Sequence, residues 1–375
     1  MNVLAYVHLR NIHQSTGAGR VARQLIEHIG QRDGVNLRVL ADSRDYQAVI
    51  PKVGQPWSDY RYHFFSMDSS VQQARWLVLN KPKAETFWHE AHIVHCTGES
   101  YVPTRKCRLV VTVHDAAYFD KGAHRANYAN WKQQLKWRVL FHTLARTADL
   151  FHTVSLFSAE RLATAFPAMR SRLRVVYNGV APIFHDAIST AGVDYLRRTG
   201  LAGRAYVLLP GGLHYRKNAD LVLKAWPVLK EQMKDLTLVI AGHCDPVYAA
   251  AAFTLGKSVL FAGFVEDTQL AALYHGAQAV WFPSRYEGFG LPIVESMACG
   301  TPVLASSCAA VPEIAGGAVM LANPDVVSEH VDAVHCLIND ARLRSDLSER
   351  GKKRARLFTW PAAAAGLHEA YSSLM

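Results

Sequence analysis

The strongest chemical signal in the chain is a pair of adjacent cations followed, seventy residues later, by a pair of carboxylates. Arg216 and Lys217 close the run Gly211-Gly212-Leu213-His214-Tyr215-Arg216-Lys217-Asn218, where a strand over 206–210 is expected to give way to a helix over 218–231. Paired glycines let a ligand approach the backbone closely. Arg216 offers a fork for phosphate oxygens and Lys217 a point charge. Two cations at a helix start run against the helix dipole, and a bound anion would remove that conflict. The carboxylates are Glu287 and Glu295 in Ser284-Arg285-Tyr286-Glu287-Gly288-Phe289-Gly290-Leu291-Pro292-Ile293-Val294-Glu295. Here a strand runs into a glycine-bearing loop, and Pro292 opens a helix at a position where its missing N–H costs nothing. The free N–H groups of such a first turn suit an anion, while the two glutamates can reach different hydroxyls of one polyol. The plainer alternative is that Glu295 belongs to a helix start and Glu287 is solvated.

A competing signal lies near the beginning. Gly17-Ala18-Gly19-Arg20-Val21-Ala22 fits the Gly-x-Gly-x-x-Ala dinucleotide fingerprint, with Asp42 near the end of the next strand. That pattern would make the protein an NAD(P)-dependent oxidoreductase. Seven residues, 10–16, separate the first expected strand from Gly17, however, whereas the fingerprint wants glycine at the strand's immediate end. It also leaves the cation and carboxylate pairs without a task. A third reading is a sugar-binding protein without activity. Six scattered cysteines contain no Cys-x-x-Cys, and eighteen histidines contain no His-Glu-x-x-His. No metal site is therefore expected.

These groups need a scaffold. The first half alternates expected strands (3–9, 36–41, 92–96, 108–113, 150–154, 174–177) with helices (18–30, 69–80, 127–147, 158–166). After a stretch without periodicity at 181–202 the alternation restarts, with strands at 206–210, 236–241, 259–262, 279–283 and 303–306. Helices at 218–231, 268–276, 292–298 and 328–339 separate them, and another follows over 360–374. Such alternation predicts parallel sheets covered on both faces. The expected architecture is α/β, with two doubly wound Rossmann-like domains facing each other across a cleft. The expected boundaries are 1–185, 190–355 and a terminal helical segment 356–375.

The two motifs together resemble those of the retaining GT-B glycosyltransferases of glycosyltransferase family 4, also described as glycosyl transferases group 1. The resemblance extends to Gly17-Ala18-Gly19, His114-Asp115, Val154-Ser155-x-x-Ser158, Asn178-Gly179-Val180, the 259–265 segment with Gly263, Ala298-Cys299-Gly300-Thr301-Pro302-Val303, and Trp360 with Tyr371. It implies that Arg216 and Lys217 bind a donor diphosphate beside Gly212 and that Glu295 bonds the ribose. Glu287, with the N–H groups of Phe289, Gly290 and Leu291, would hold the transferred sugar, and His114 would contact it near the 6-position. Gly17 and Gly19 would admit phosphate or acceptor closely, and Gly263, Phe264 and Val265 would meet the base. The first domain would serve the acceptor, the second the donor, and the terminal helix would cross back to the first. The implied reaction is α-glycosyl transfer with retention, first from GDP-mannose and alternatively from a UDP-sugar. The implied acceptor is lipid-linked or polysaccharide, in bacterial surface glycan synthesis. Without an Asp-x-Asp to hold a metal-bound diphosphate, the two cations are expected to replace the metal, and no cofactor is expected.

The chain has 375 residues, a net charge of +10 and half its residues hydrophobic. That describes a folded globular protein of two domains. The basic excess is confined to residues 1–187, which hold 24 Lys and Arg against 14 Asp and Glu, while the remainder balances at 17 each. An uneven field of this kind favours an anionic partner. The 127–147 segment combines Tyr128, Trp131, Leu135, Trp137, Leu140, Phe141 and Leu144 with Lys132, Lys136, Arg138 and Arg146, a composition suited to an anionic bilayer surface. No nucleic-acid module is visible. With no signal-peptide pattern and no apolar run of membrane-spanning length, the expectation is a cytoplasmic protein with peripheral contact to the inner face of the plasma membrane.

Overall fold

A computed structural model describes residues 1–13, 17–119 and 131–375; of the sequence expectations, Asn127 and Tyr128 lie outside the described residues. The chain forms two compact units, Met1–Gly179 with Trp360–Met375, and Val180–Thr359.

Among the described residues the first unit holds seven strands: β1 (Asn2–Tyr6), β2 (Asn36–Asp42), β3 (Arg61–Phe65), β4 (Ile93–Cys96), β5 (Arg108–Val113), β6 (Leu150–Thr153) and β7 (Leu173–Val175). They lie in the order β3-β2-β1-β4-β5-β6-β7, every pairing parallel. The second unit has β8 (Tyr206–Pro210), β9 (Thr237–Ala241), β10 (Val259–Gly263), β11 (Ala279–Phe282), β12 (Val303–Ser306) and β13 (Met320–Ala322), ordered β10-β9-β8-β11-β12-β13 and again all parallel. Both sheets reverse direction beside their first strand, between β1 and β4 and between β8 and β11. This is the doubly wound topology, in which ligands lie at the carboxyl ends of the strands flanking the reversal. The central strands are apolar and buried along their whole length, because helices cover both faces. Trp57 and Trp76 anchor the first core, Trp226 and Trp281 the second.

The boundaries differ from those read in the sequence. The expected linker carries the helix Thr190–Arg198, capped by the Ser189 side chain accepting from Gly192 N–H. This helix packs against the Asp267–Gly276 helix of the second unit, where an added Cβ on Gly192 would come within 3.0 Å of Ala272 Cβ. Residues 356–359 also stay with the second unit: Phe358 is buried, stands edge-on to Phe289, and its carbonyl accepts from Val180 N–H.

The last helix, Trp360–Ser372, packs on the Gly17–Gly30 helix of the first unit and is tied to the sheet by a buried polar chain. His152 Nε2 lies 3.0 Å from Val176 O, a group that can only accept, so Nε2 carries the proton and Nδ1 accepts. Thr112 Oγ1 therefore donates to His152 Nδ1 at 3.0 Å and accepts from His95 Nε2 at 2.8 Å. Tyr371 Oη then donates to His95 Nδ1 at 2.8 Å. One carbonyl thus sets both histidine tautomers, and burial pushes His95 down to about 3 and His152 to about 4, keeping both neutral.

Candidate active site

In the second unit both motifs fall at the sheet's reversal, on the loops following β8 and β11. Gly211 and Gly212 have φ of 95° and 79°, and a Cβ on Gly212 would stand 1.7 Å from His243 O. Only glycine fits there, because Leu213 N–H must donate to that carbonyl at 3.1 Å. Arg216 and Lys217 lie on a separate 3-10 turn, Tyr215–Lys217, and Asn218 in the left-handed region (φ 60°) starts the Ala219–Gln232 helix. The cations therefore precede the helix rather than occupy its first turn, which removes the dipole conflict read from the sequence. Asn218 Nδ2 fixes the turn from below by donating to Pro324 O at 2.7 Å.

Lys217 and Glu287 meet. Lys217 Nζ stands 2.6 Å from Glu287 Oε1, both side chains are about nine-tenths buried, and the ammonium sits 4.2 Å from the Phe282 ring centroid. Burial pulls the Lys217 ammonium below its ordinary value, although Glu287 opposes the shift. Burial would raise the Glu287 carboxyl, but Lys217 and Arg216 outweigh it and hold the group below the usual carboxylate range. The pair is thus ionised on both sides, a buried cation and a buried carboxylate in contact. Glu287 is therefore neither solvated nor unpartnered.

Gly290, at φ 92°, begins the Leu291–Cys299 helix. Glu295 stands in the second turn of that helix rather than the first, 2% exposed, and accepts from Tyr274 Oη at 3.1 Å. Its charge reaches Lys217, so the two carboxylates and the lysine form one electrostatic group. Phe289 is buried against Phe358. Gly263 ends β10 at φ 65° with open space where a Cβ would project, and Phe264 beside it is 65% exposed. Val265 is partly buried.

Arg285, which sequence reading passed over, braces these loops. Its N–H donates to Arg216 O at 2.9 Å, its guanidinium lies over the Tyr215 ring at 5.1 Å, and it pairs with Asp325 at 3.0 Å. Tyr274, the partner of Glu295, carried no sequence signal because its role depends on a helix packing against another. Gly242 had a weak one: at φ 118° it passes within 2.9 Å of the Gly211 backbone as measured from an added Cβ.

The first unit has its own cavity at its reversal, about 190 Å³, lined by His8, Asn11, Ala18, Gly19, Ala22, Thr97, Gly98, Glu99, Ser100 and His114. It brings Gly19 and His114 together. Gly17 opens its helix with nothing within 4 Å of an added Cβ. His114 Nε2 lies 3.2 Å from Thr97 O, which places the proton on Nε2 and leaves Nδ1 as acceptor. Glu99 Oε1 accepts from His114 N–H at 2.7 Å, and burial raises its carboxyl. Glu99 was missed although it lies three residues after the end of β4. The dinucleotide reading loses its geometry here. β1 ends at Tyr6, the Leu9–His13 helix follows, and Gly17 starts a further helix. Asp42 is buried and committed to Arg44, accepting from its N–H at 3.0 Å and its guanidinium at 2.7 Å.

Two doubly wound units, the second carrying a glycine cradle, two cations and paired glutamates at its reversal, define the class of GT-B glycosyltransferases. The family described as "Glycosyltransferase Family 4" matches residues 15–182, and "Glycosyl transferases group 1" matches 197–354. The chain is 29% identical to the O-antigen chain mannosyltransferase B of Escherichia coli, over 73% of its own length and 72% of that protein's. It is 28% identical to the MMP alpha-(1->4)-mannosyltransferase of Mycolicibacterium hassiacum, over 73% and 68%. Its fold matches HepE of Anabaena, solved in complex with UDP-glucose, with a TM-score of 0.76 over the whole of both chains at 19% identity. The chain belongs to the family 4 GT-B glycosyltransferases and is mannosyltransferase-like.

Proposed function

We propose that the protein transfers an α-linked hexose with retention, first of all mannose from GDP-mannose, to a lipid-linked or polysaccharide acceptor in bacterial surface glycan synthesis. The observation that carries this reading is the buried Lys217–Glu287 pair at the reversal of the second sheet. Arg216 and Lys217 receive the diphosphate and stabilise the charge that develops on it as the glycosidic bond breaks. Glu287 accepts from hydroxyls of the transferred sugar, and Glu295, fixed by Tyr274, accepts from the ribose. The acceptor hydroxyl attacks from the face the diphosphate leaves, so positioning and leaving-group stabilisation supply the catalysis. With two cations at the diphosphate, the reaction is proposed to be metal-independent. The mannosyl preference follows the two curated relatives; the UDP-glucose complex of HepE favours a UDP-sugar as the second reading.

We also propose a cytoplasmic enzyme in peripheral contact with an anionic membrane. Among the described residues no helix is long and apolar enough to cross a membrane. The Trp131–Thr147 helix buries Leu140, Phe141 and Leu144, and Trp137 stacks on Tyr118 at 4.3 Å. Its outer side shows Trp131, Leu135 and Val139 exposed at a spacing of four, beside Lys132 and Lys136. Neutralising both lysines should weaken binding to anionic liposomes at low salt by roughly thirtyfold, at about 1 kcal/mol per charge; unchanged binding removes the membrane contact.

The donor is tested by thermal unfolding with GDP, UDP, ADP and NAD(P)H, with and without EDTA. Stabilisation by one nucleoside diphosphate that EDTA leaves intact supports a metal-independent transferase and identifies its base. A response to NAD(P)H alone overturns the reading.

A further inference from the structure

The first unit contains a second cavity, about 260 Å³, at the carboxyl ends of β2 and β3 and separate from the one that holds His114. We propose that it is a subsite for a sugar residue of the acceptor glycan, remote from the reacting hydroxyl. The proposal rests on the glycosyltransferase reading.

Three observations favour a carbohydrate. Gln72 lines the cavity, is 1% exposed, and its amide Nε2 has no hydrogen-bond partner among the described residues. A buried donor left unmade costs free energy that a ligand hydroxyl would recover. Arg75 also lines it and makes no ion pair among the described residues; its guanidinium only touches Met67 Sδ at 3.8 Å. Asp42 and Asp68, which adjoin the lining residues Ser43 and Met67 in the chain, are both engaged by Arg44, at 2.7 and 3.9 Å. Finally, the wall mixes polar groups with exposed apolar side chains. Phe64, on the edge strand β3, is 42% exposed and stacks on Tyr62 at 5.7 Å, and Met67 is 37% exposed.

Among the described residues no carboxylate lines the cavity, so it presents donors and an aromatic side chain. That combination matches a pyranose, whose ring carbons pack on an aromatic while its oxygens accept hydrogen bonds. The volume falls below the ~300 Å³ at which drug-sized pockets begin, and suits one sugar ring. β3 is two strands from β1, about 10 Å across the sheet at the usual strand spacing. One oligosaccharide can therefore reach from this cavity to the one beside β1.

The test is a saturation-transfer NMR titration of the whole protein with gluco- and manno-configured monosaccharide glycosides and trisaccharides. It is run on the wild type, Phe64→Ala and Arg75→Ala, each checked for its unfolding temperature. Both substituted side chains are exposed, so folding should survive. The expected result is trisaccharide binding that each variant weakens by about tenfold, the scale of one hydrogen bond to a charged group for Arg75 and of one aromatic contact for Phe64. The stabilisation by nucleoside diphosphate should not change. Trisaccharides that bind the variants as well as the wild type, or none that binds the wild type, overturn the subsite. Loss of the nucleoside diphosphate response in the wild type would instead strike the transferase reading, so the two failures are distinguishable.

Discussion

The two units share a topology and differ in how they charge it. At the reversal of the second sheet, opposite charges are built in and buried as a contact pair, Lys217 against Glu287, inside a unit whose total charge is zero. At the reversal of the first, no ion pair is built in among the described lining residues: His8, His114, Ser100, Asn11 and small residues stand beside one acid, Glu99, in the unit that carries the whole net charge of the chain. Net charge and site charge are therefore separate features of this protein. The basic excess is spread over a surface, while the chemistry is concentrated where the field is locally balanced. Balance has a use in the second unit. A pocket holding one carboxylate alone would resist ionisation, and one holding a lysine alone would favour the neutral amine; together they stay charged, ready for a diphosphate and a polyol.

Removing one partner should give the largest effect. Lys217→Ala is expected to lower turnover about 100- to 1000-fold, the scale of losing one electrostatic stabiliser of a developing anion. It also strands a buried carboxylate, which costs about 3–5 kcal/mol of stability. The double variant Lys217→Met/Glu287→Leu separates the two, since stability should return and turnover should not. Near-normal turnover in either variant would show that Lys217 does not meet the diphosphate.

A glycine comparison sharpens the contrast. Gly212→Ala puts a methyl 1.7 Å from His243 O at φ 79°, a conflict that only backbone movement relieves. The expected cost is about 2–4 kcal/mol, the strained-backbone range of single substitutions, with loss of the stabilisation by nucleoside diphosphate. Gly17→Ala meets open space, so its unfolding temperature should match the wild type, and any effect should be confined to turnover. Equal destabilisation by the two would erase the distinction between a cradle that requires glycine and a helix start that merely has one.

The pH dependence of the second site follows from the pair. Lys217 already lies below its ordinary value, and Glu287 is the largest influence raising it. Glu287→Gln removes that support, so the ammonium should lose its proton at a lower pH. The alkaline limb of nucleoside diphosphate binding should move toward neutrality, measured by titration across pH 6 to 10. An unmoved limb would mean that Lys217 does not control the affinity.

Much of this was legible before any coordinates. Parallel strands buried on both faces read as apolar runs, so β8 and β12 fall where their hydrophobic segments predict them, at Tyr206–Pro210 and Val303–Ser306. The motif residues Arg216, Lys217, Glu287 and Glu295 stood out because cations and acids beside glycines at strand ends are unusual. What stayed hidden depends on tertiary partners. The Thr190–Arg198 helix is short and largely polar, and it reveals itself by packing on Asp267–Gly276. β3 is an edge strand of mixed burial, without the clean run or alternation that marks a strand. Arg285 looks like a surface residue until Tyr215, Arg216 and Asp325 are brought around it.

The histidine chain of the first unit was the least legible feature, because His95, His152 and Tyr371 are far apart in sequence and belong to elements that meet only in the fold. It also offers the smallest expected effect. Tyr371→Phe deletes the O–H that donates to His95 Nδ1 and leaves a buried acceptor unmet, at about 1–2 kcal/mol. The aromatic packing stays, so activity should persist while the unfolding temperature drops. A second signature distinguishes the chain from simple packing. His95 and His152 titrate at about 3 and about 4 in the folded protein, against 6.5 as the ordinary value. The unfolded chain therefore binds more protons between those limits, and stability is full above pH 6.5 and falls as pH drops through the window. Each histidine contributes up to about 1.4 kcal/mol per pH unit. Tyr371→Phe leaves both rings buried and neutral, so its unfolding free energy should run parallel to the wild type from pH 7 to pH 5, lower by a constant amount. A difference that closes as pH falls would mean that His95 of the variant takes up a proton in this range, so that burial alone does not keep the ring neutral.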